Sequence, residues 1–390
     1  MMRYLSANYI YPIHEAPIKH GVVEVSSQGQ IVAVHRFPTD IDPNRIEHLE
    51  GIIVPGFVNA HCHLELSHLK GKIEPRRGLT SFLKSVMQRP QASEEQILQS
   101  MEEADAEMSK NGIIAVGDIS NGPVSKSIKQ KSKLYYHTFI EILGFDPKQA
   151  EEVFKKGVDL CTFFHPLRSS LAPHAPYSVS KDLFRFIRFF CDKEDNLLSI
   201  HNQESEAENK FFRYKQGPFI DFYQDLGRNI DFFKPKARNS LRTIAPLLPQ
   251  SEHILMVHNT YTTYKDLNFM DRYDRQVTWC FCPNANLYIE GRLPNIKLFR
   301  DAEKKIVLGT DSLASNNGLS ILEEMKTIAQ HDPDIPIQEL LTWGTLNGAE
   351  YFDIADTYGS IEPGKTPGLN LIENVSNGKL LPNSTVRKLL

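Results

Sequence analysis

Residues 54–63 read Val54-Pro55-Gly56-Phe57-Val58-Asn59-Ala60-His61-Cys62-His63. An apolar, β-prone run leads directly into two imidazoles one residue apart. In a strand, residues i and i+2 project from the same face, so His61 and His63 can reach a single metal ion. A lone His-x-His pair arises by chance on many surfaces. Here, later apolar runs end in the same style, at His201, His258 and Asp311.

The β-type runs are 53–62, 113–119, 134–142, 169–173, 197–201, 253–258, 277–282 and 305–310. Helical segments separate them, such as 93–111, with apolar periodicity on one face and charge on the other. Asn111-Gly112 reads as its stop. Eight β–α alternations predict an α/β fold, a (β/α)8 TIM barrel. A doubly wound open sheet is the alternative, but no Gly-x-Gly-x-x-Gly follows the first run, so a dinucleotide-binding fold is unsupported.

The flanks differ in style. Gly21-Val-Val-Glu-Val alternates, and Gly29-Gln-Ile-Val-Ala-Val-His follows a Ser-Ser-Gln-Gly turn, as in a hairpin. Residues 359–365 form a turn-rich lead into Leu369-Asn-Leu-Ile. The simplest organisation is a small β-module split between 1–54 and 359–390, with the barrel, 55–358, inserted between its halves.

Of the 390 residues, 24% are charged, and the formal net charge is −4. This balance offers no basic footprint for nucleic acid and no polybasic membrane patch. No apolar stretch is long enough to cross a membrane. The N-terminal residues lack the apolar core of a signal peptide, so a cytoplasmic enzyme with a small-molecule substrate is expected. The five cysteines, Cys62, Cys161, Cys191, Cys280 and Cys282, are an odd and scattered set, which argues against a disulfide framework. Cys280-Phe281-Cys282 reads as a buried strand, not a metal pair.

In a barrel of this class the chemistry sits at the C-terminal ends of the strands. His61, His63, His201 and Asp311 fall there and make a set of three nitrogens and one oxygen. Such donors suit zinc or iron better than magnesium or calcium. A divalent ion in such a shell lowers the pKa of its water from ~16 towards ~7. A hydrolase then needs a group that moves protons. Glu204, three residues beyond His201, is one candidate and His258 another. His174 also ends a run, and Asp118 and Glu141 end two more; the last two read as hydrogen-bonding or structural residues. The aromatic and basic segment 205–248 reads as amphipathic helices packing on the barrel or on a second subunit of a homodimer. Stacking on a purine-like ring and binding of a carboxylate by its basic residues is the other reading.

At this point the residues resemble a known family. Pro55-Gly-Phe-Val-Asn-Ala-His-Cys-His63, Ala172-Pro-His-Ala-Pro-Tyr-Ser178, His201-Asn-Gln-Glu204 and Val257-His-Asn259 are joined by Cys282-Pro-Asn-Ala-Asn-Leu287, Leu308-Gly-Thr-Asp-Ser312 and Ser315-Asn-Asn317. Together with Asn347-Gly-Ala-Glu350 and Gly359-Ser-Ile-Glu-Pro-Gly-Lys365, they resemble the amidohydrolase superfamily. The closer likeness is to its aminohydrolase branch, with guanine, cytosine and S-adenosylhomocysteine deaminases and atrazine chlorohydrolase. The likeness spans nearly the whole chain, in order.

The resemblance implies a distorted (β/α)8 barrel with a β-sandwich from both termini, and one divalent metal ion, zinc or sometimes iron. No lysine lies in 169–178, which disfavours the dinuclear relatives that use a carboxylated lysine there. By the same resemblance His61, His63, His201 and Asp311 bind the metal. Glu204 shuttles a proton to a ring nitrogen, and His258 and Asp311 orient and deprotonate the water. Attack on an amine-bearing ring carbon expels ammonia. His174 and Ser315 match substrate-contacting positions.

Cys62 departs from the commoner threonine, at a position facing away from the metal. Leu64-Glu-Leu-Ser67 resembles the aminodeoxyfutalosine deaminases and makes Glu65 a further substrate-binding candidate. The expected activity is hydrolysis of non-peptide carbon–nitrogen bonds, most simply deamination of an aminated heterocycle or nucleoside derivative. Ring opening of an imidazolone-type cyclic amide and chlorohydrolysis are the alternatives. A non-catalytic barrel scaffold is disfavoured, because the four ligands and Glu204 are all present.

Overall fold

The computed structural model of the chain describes all residues except 1, 89–91, 192, 194–195, 251–252 and 274. Eight strands follow one another in the expected places. They are β1 (Phe57–Cys62), β2 (Ile113–Ser120), β3 (Tyr135–Ile142), β4 (Arg168–Pro173), β5 (Leu198–Asn202), β6 (Ile254–His258), β7 (Val277–Phe281) and β8 (Lys305–Leu308). They form two four-stranded sheets, β1 to β4 and β5 to β8, and every pairing within them is parallel. An isolated parallel bridge links Cys62 to Asp311 across one seam, where the amides of Thr310 and Asp311 donate to the His61 carbonyl at 3.0 and 3.1 Å. Across the other seam the His201 amide donates to the His174 carbonyl at 3.0 Å.

Both faces of these strands are buried, which is why the runs read as nearly continuous apolar sequence. Alternate residues sort into two cores. Val58, Ala60, Ala115, Phe139, Leu255, Val257 and Cys280 gather in one cluster. Phe57, Val116, Ile140, Met256, Trp279, Phe281 and Leu308 face the other way, into the core shared with the helices. The helix expected over 93–111 spans Glu94–Lys110. Ser93 and Gln96 close a capping box at its start, and Asn111 and left-handed Gly112 end it. Met101, Ala104 and Met108 are its buried stripe.

The run expected as a single strand over 53–62 is two strands. Ile52–Pro55 pairs antiparallel with Leu369–Ser376 and parallel with Tyr9–Ile10, whereas Phe57–Cys62 opens the parallel sheet. The break falls at Gly56, whose amide donates to the Pro367 and Gly368 carbonyls. A Cβ there would lie 2.5 Å from Ile114 Cγ2 and 2.7 Å from the Pro367 oxygen, so only glycine lets the chain change partners at that point.

The chain ends are built together. A five-stranded sheet runs Lys379–Lys388, Leu369–Ser376, Ile52–Pro55, Tyr9–Ile10, Ile18–Lys19. A four-stranded sheet contains the expected hairpin, Val22–Val25 antiparallel to Ile31–His35. Leu5, Val23, Val25, Ile53, Leu369 and Leu371 share one core between the two sheets.

Candidate active site

The C-terminal ends of β1, β5, β6 and β8 meet on one rim. His61 and His63 leave β1 on the same face, and their Nε2 atoms lie 3.2 Å apart. His63 Nε2 is also 3.2 Å from His201 Nε2. Asp311 Oδ1 lies 3.4 Å from His63 Nε2 and 3.7 Å from His61 Nε2. All four side chains are buried.

This donor set fits a metal ion. Metal–nitrogen and metal–oxygen bonds of about 2.0–2.2 Å at tetrahedral angles place neighbouring donors roughly 3.3–3.6 Å apart, close to the separations found. His201 Nδ1 lies 2.7 Å from the His174 carbonyl; the ring donates its Nδ1–H to that oxygen, which leaves Nε2 a bare lone pair towards the cluster. Burial, followed by the neighbouring imidazoles, holds His61 and His63 well below the usual histidine range. Burial, then His174, lowers His201 to about 4. The neutral, ligating form is therefore favoured. Asp311 is pushed up to about 7 by burial, against the Ser315 hydroxyl that donates to its Oδ2 at 2.6 Å. A second triad, Glu141, His174 and His201, also brings donor atoms within 4.8 Å. In that triad both Nδ1 atoms are already engaged, His174 Nδ1 with Ser178 Oγ at 2.6 Å and His201 Nδ1 with the His174 carbonyl.

Glu204 and His258 stand beside the cluster. His258 stacks on His201 with ring centroids 5.4 Å apart, and its Nε2 is 3.8 Å from Glu204 Oε1. Burial, then Asp311, pushes Glu204 well above the usual carboxylate range. Its backbone amide donates to Glu208 Oε2 at 3.2 Å, and that of Gln203 donates to Glu208 Oε1 at 3.0 Å. Glu208 is a residue the sequence reading passed over, although Ser205-x-x-Glu208 is a legible capping pattern.

His63, His201, Glu204, His258 and Asp311 form one end of a cavity of about 440 Å³. Glu65, Asn121, Glu141 and His174 add polar wall, while Leu66, Leu79, Phe82, Leu83, Phe145 and Leu226 make the rest apolar, with Arg228 also lining it. Glu65 is tied down: its Oε2 accepts the Asn121 amide at 3.0 Å and its Oε1 the Ser125 hydroxyl at 3.4 Å. Ser315 lies behind Asp311, fully buried, with its hydroxyl spent on that carboxylate; Ser312 is the serine on the cavity wall. Asp118 has the structural place expected of it. It pairs with buried Lys129 at 2.6 Å and accepts the Leu64 amide at 2.7 Å, fixing the turn after His63. Glu141 lines the cavity, and Asn121, which the sequence did not single out, reaches both Glu65 and Glu141.

The aromatic segment is mostly core. Phe211, Phe212, Phe219 and Phe233 pack with Phe145 and Tyr177, on helices Glu206–Tyr214 and Pro218–Asp225 and the loop beyond. Phe222 and Tyr223 also reach the cavity wall. Cys280 and Cys282 are buried free thiols and join no metal-type cluster among the described residues.

The chain is 28% identical over 330 residues to an adenosine deaminase of Helicobacter pylori, covering 82% of this chain and 78% of that one. It is 26% identical over 393 residues to a 5-methylthioadenosine/S-adenosylhomocysteine deaminase of Halalkalibacterium halodurans, covering 92% and 82%. The crystal structure of Helicobacter pylori aminofutalosine deaminase in complex with methylthio-coformycin superposes with a TM-score of 0.80 at 25% identity, covering 96% of this chain and 93% of that one. The family model of the amidohydrolases matches residues 52–389. The chain belongs to the amidohydrolase family.

Proposed function

We propose that this protein is a metal-dependent aminohydrolase that removes the amino group from a nucleoside-type heterocycle. One observation carries the reading. His63 Nε2 lies 3.2–3.4 Å from donor atoms of His61, His201 and Asp311, and Asp311 lies 3.7 Å from His61, with Glu204 and His258 beside them, at one end of a largely apolar cavity. His61, His63, His201 and Asp311 are the residues that would hold one divalent ion, and their nitrogen-rich set favours zinc, with iron as the second choice. When bound, that ion makes hydroxide available at neutral pH.

The chain's residues then do the proton work. Glu204 takes a proton from the incoming water and hands it to the ring nitrogen beside the amino-bearing carbon. The water oxygen bonds to that carbon, guided by His258. Asp311 accepts the second proton, which leaves on the amine as the carbon–nitrogen bond breaks. Water and the aminated ring become the oxo ring and ammonia. The apolar wall around Leu79, Phe82, Leu83 and Phe145 suits a substituent beyond the sugar, as in a 5′-modified adenosine or an aminofutalosine-type nucleoside. His174 and Glu65 line the same cavity and are the expected substrate contacts.

The seam bonds at Cys62–Asp311 and His174–His201 support closure of the two parallel sheets into a distorted (β/α)8 barrel over 55–358. The shared core of the two terminal sheets supports a β-sandwich assembled from 1–54 and 359–390.

The test is ammonia release by zinc-reconstituted protein. The panel is adenosine, 5′-deoxyadenosine, 5-methylthioadenosine, S-adenosylhomocysteine and aminodeoxyfutalosine. Glu204→Gln should keep metal content near wild type and lower kcat by at least about 100-fold. Fully metallated protein that releases no ammonia from any of them would overturn the assignment, as would wild-type rates in Glu204→Gln.

A further inference from the structure

We propose that Glu141 determines specificity by accepting a hydrogen bond from a sugar hydroxyl of the bound nucleoside; the proposal rests on the deaminase reading above. Glu141 is the penultimate residue of β3, is 8% exposed and lines the cavity. Its two oxygens are treated differently. Oε2 accepts from the Asn121 side-chain amide at 2.8 Å, whereas Oε1 is buried and has no hydrogen-bond partner. Carboxylate oxygens have strong acceptor capacity, and leaving one buried without a donor is costly. A donor from the cavity's occupant would remove that cost.

A role in orienting His201 does not account for the free oxygen. Glu141 Oε1 lies 3.6 Å from His201 Nδ1, beyond hydrogen-bond range, and the His174 carbonyl holds that nitrogen at 2.7 Å. Glu65, the other acid on this wall, already has a protein donor on each oxygen. Asn121 bridges the two acids, its backbone amide on Glu65 and its side-chain amide on Glu141. Glu141 therefore presents the unfilled acceptor in a pre-positioned pair.

Position selects the donor. Nε2 of His201 points into the metal-type cluster, and Glu141 faces the opposite nitrogen of the same ring. This unpartnered oxygen is thus displaced from the reacting carbon by at least the width of an imidazole, towards the sugar, and a turn of the carboxyl group brings it to the cavity's occupant. Two adjacent acids also make this wall hostile to phosphate, so the favoured occupant is a neutral, hydroxyl-bearing nucleoside.

The experiment measures kcat and KM on zinc-loaded wild type, Glu141→Gln and Glu141→Leu, with the best nucleoside of the panel and its 2′- and 3′-deoxy analogues. Wild type should prefer one hydroxylated form over its deoxy analogue. Glu141→Leu should raise KM for the hydroxylated form about 10- to 100-fold, with a smaller change in kcat, and abolish the preference. Glu141→Gln, whose amide oxygen still accepts, should retain most of it. Metal content should match wild type in both variants. The proposal is overturned if wild type uses hydroxylated and deoxy forms equally, if Glu141→Leu weakens both alike, or if either variant loses metal. Its failure is separable from that of the deaminase reading, because only the latter predicts ammonia from wild type at all.

Discussion

Gly309 shows how little room a single residue leaves around the cluster. A Cβ at this position would lie 2.8 Å from His61 Cβ, 2.9 Å from its carbonyl oxygen and 3.0 Å from its amide nitrogen. Backbone cannot yield as a flexible side chain can, so Gly309→Ala should push β1 and β8 apart at their joined ends. The expected loss is roughly 1–3 kcal/mol of stability. Metal retention should fall further than in a surface Gly→Ala control, read by thermal unfolding and by metal content after dialysis. The residues of the cluster were legible in sequence because His61 and His63 share a strand face and His201 and Asp311 end apolar runs. Gly309 was legible only as part of a motif, since its contact with His61 joins distant parts of the chain. Glu141 read as structural because an acid at a strand end has no spacing partner to reveal it. Ser315 matched a substrate position by motif, yet its side chain turns onto Asp311.

At the scale of elements, the strand ends turn sharply where the chemistry lies. Gln203, His258, Asn259 and Asp311 all adopt positive φ, between 45 and 73°. Such left-handed residues cost about 1 kcal/mol or more each and need neighbours to hold them. After β5 the holder is helix Glu206–Tyr214, capped by Ser205. Glu208 in its first turn accepts the amides of Gln203 and Glu204. Glu208→Ala should release both amides, destabilise the protein by about 1–3 kcal/mol and lower kcat while metal content holds. Glu208→Gln keeps one acceptor and should fall between, as read by thermal unfolding and steady-state kinetics. The capping pattern was readable, but not that its carboxylate would reach upstream of the cap to the Glu204 turn. The same limit fused Ile52–Pro55 with β1: both are apolar, and Gly56 alone does not reveal that the chain changes sheets.

For the molecule as a whole, stability is tied to proton uptake at a site away from the cavity. His137 on β3 is 5% exposed, packs against Phe139 and Phe352, and bonds Ser170 Oγ at 2.8 Å. Burial, then the charges of Arg168 and Lys129, lowers it to about 3. In the unfolded chain it takes up a proton near pH 6.5, so between those values the unfolded state binds more protons. Its contribution is therefore fully present above pH 6.5 and declines as pH falls towards 3. From pH 6.5 to 5 that amounts to about 2 kcal/mol. Denaturant unfolding of wild type and His137→Phe should give curves whose difference narrows by about that amount. Subtracting one protein from the other removes the pH dependence of the His61 cluster, which both share. A wild type no more acid-sensitive than the variant would contradict a neutral, buried His137.

The strand Ile52–Pro55 has a consequence for the order in which the molecule is made. It leads through Gly56 into β1, and it is flanked by Tyr9–Ile10 and by Leu369–Ser376. On the ribosome, residues 57–63 emerge early, but one edge of the strand that anchors them stays open until residues near 370 have been added. At roughly 5–20 residues per second that delay is tens of seconds. A growing chain thus carries its first two candidate ligands, His61 and His63, on an incompletely anchored strand, and translation stopped before Leu369 yields a polypeptide with all the candidate ligands and no finished frame to hold them.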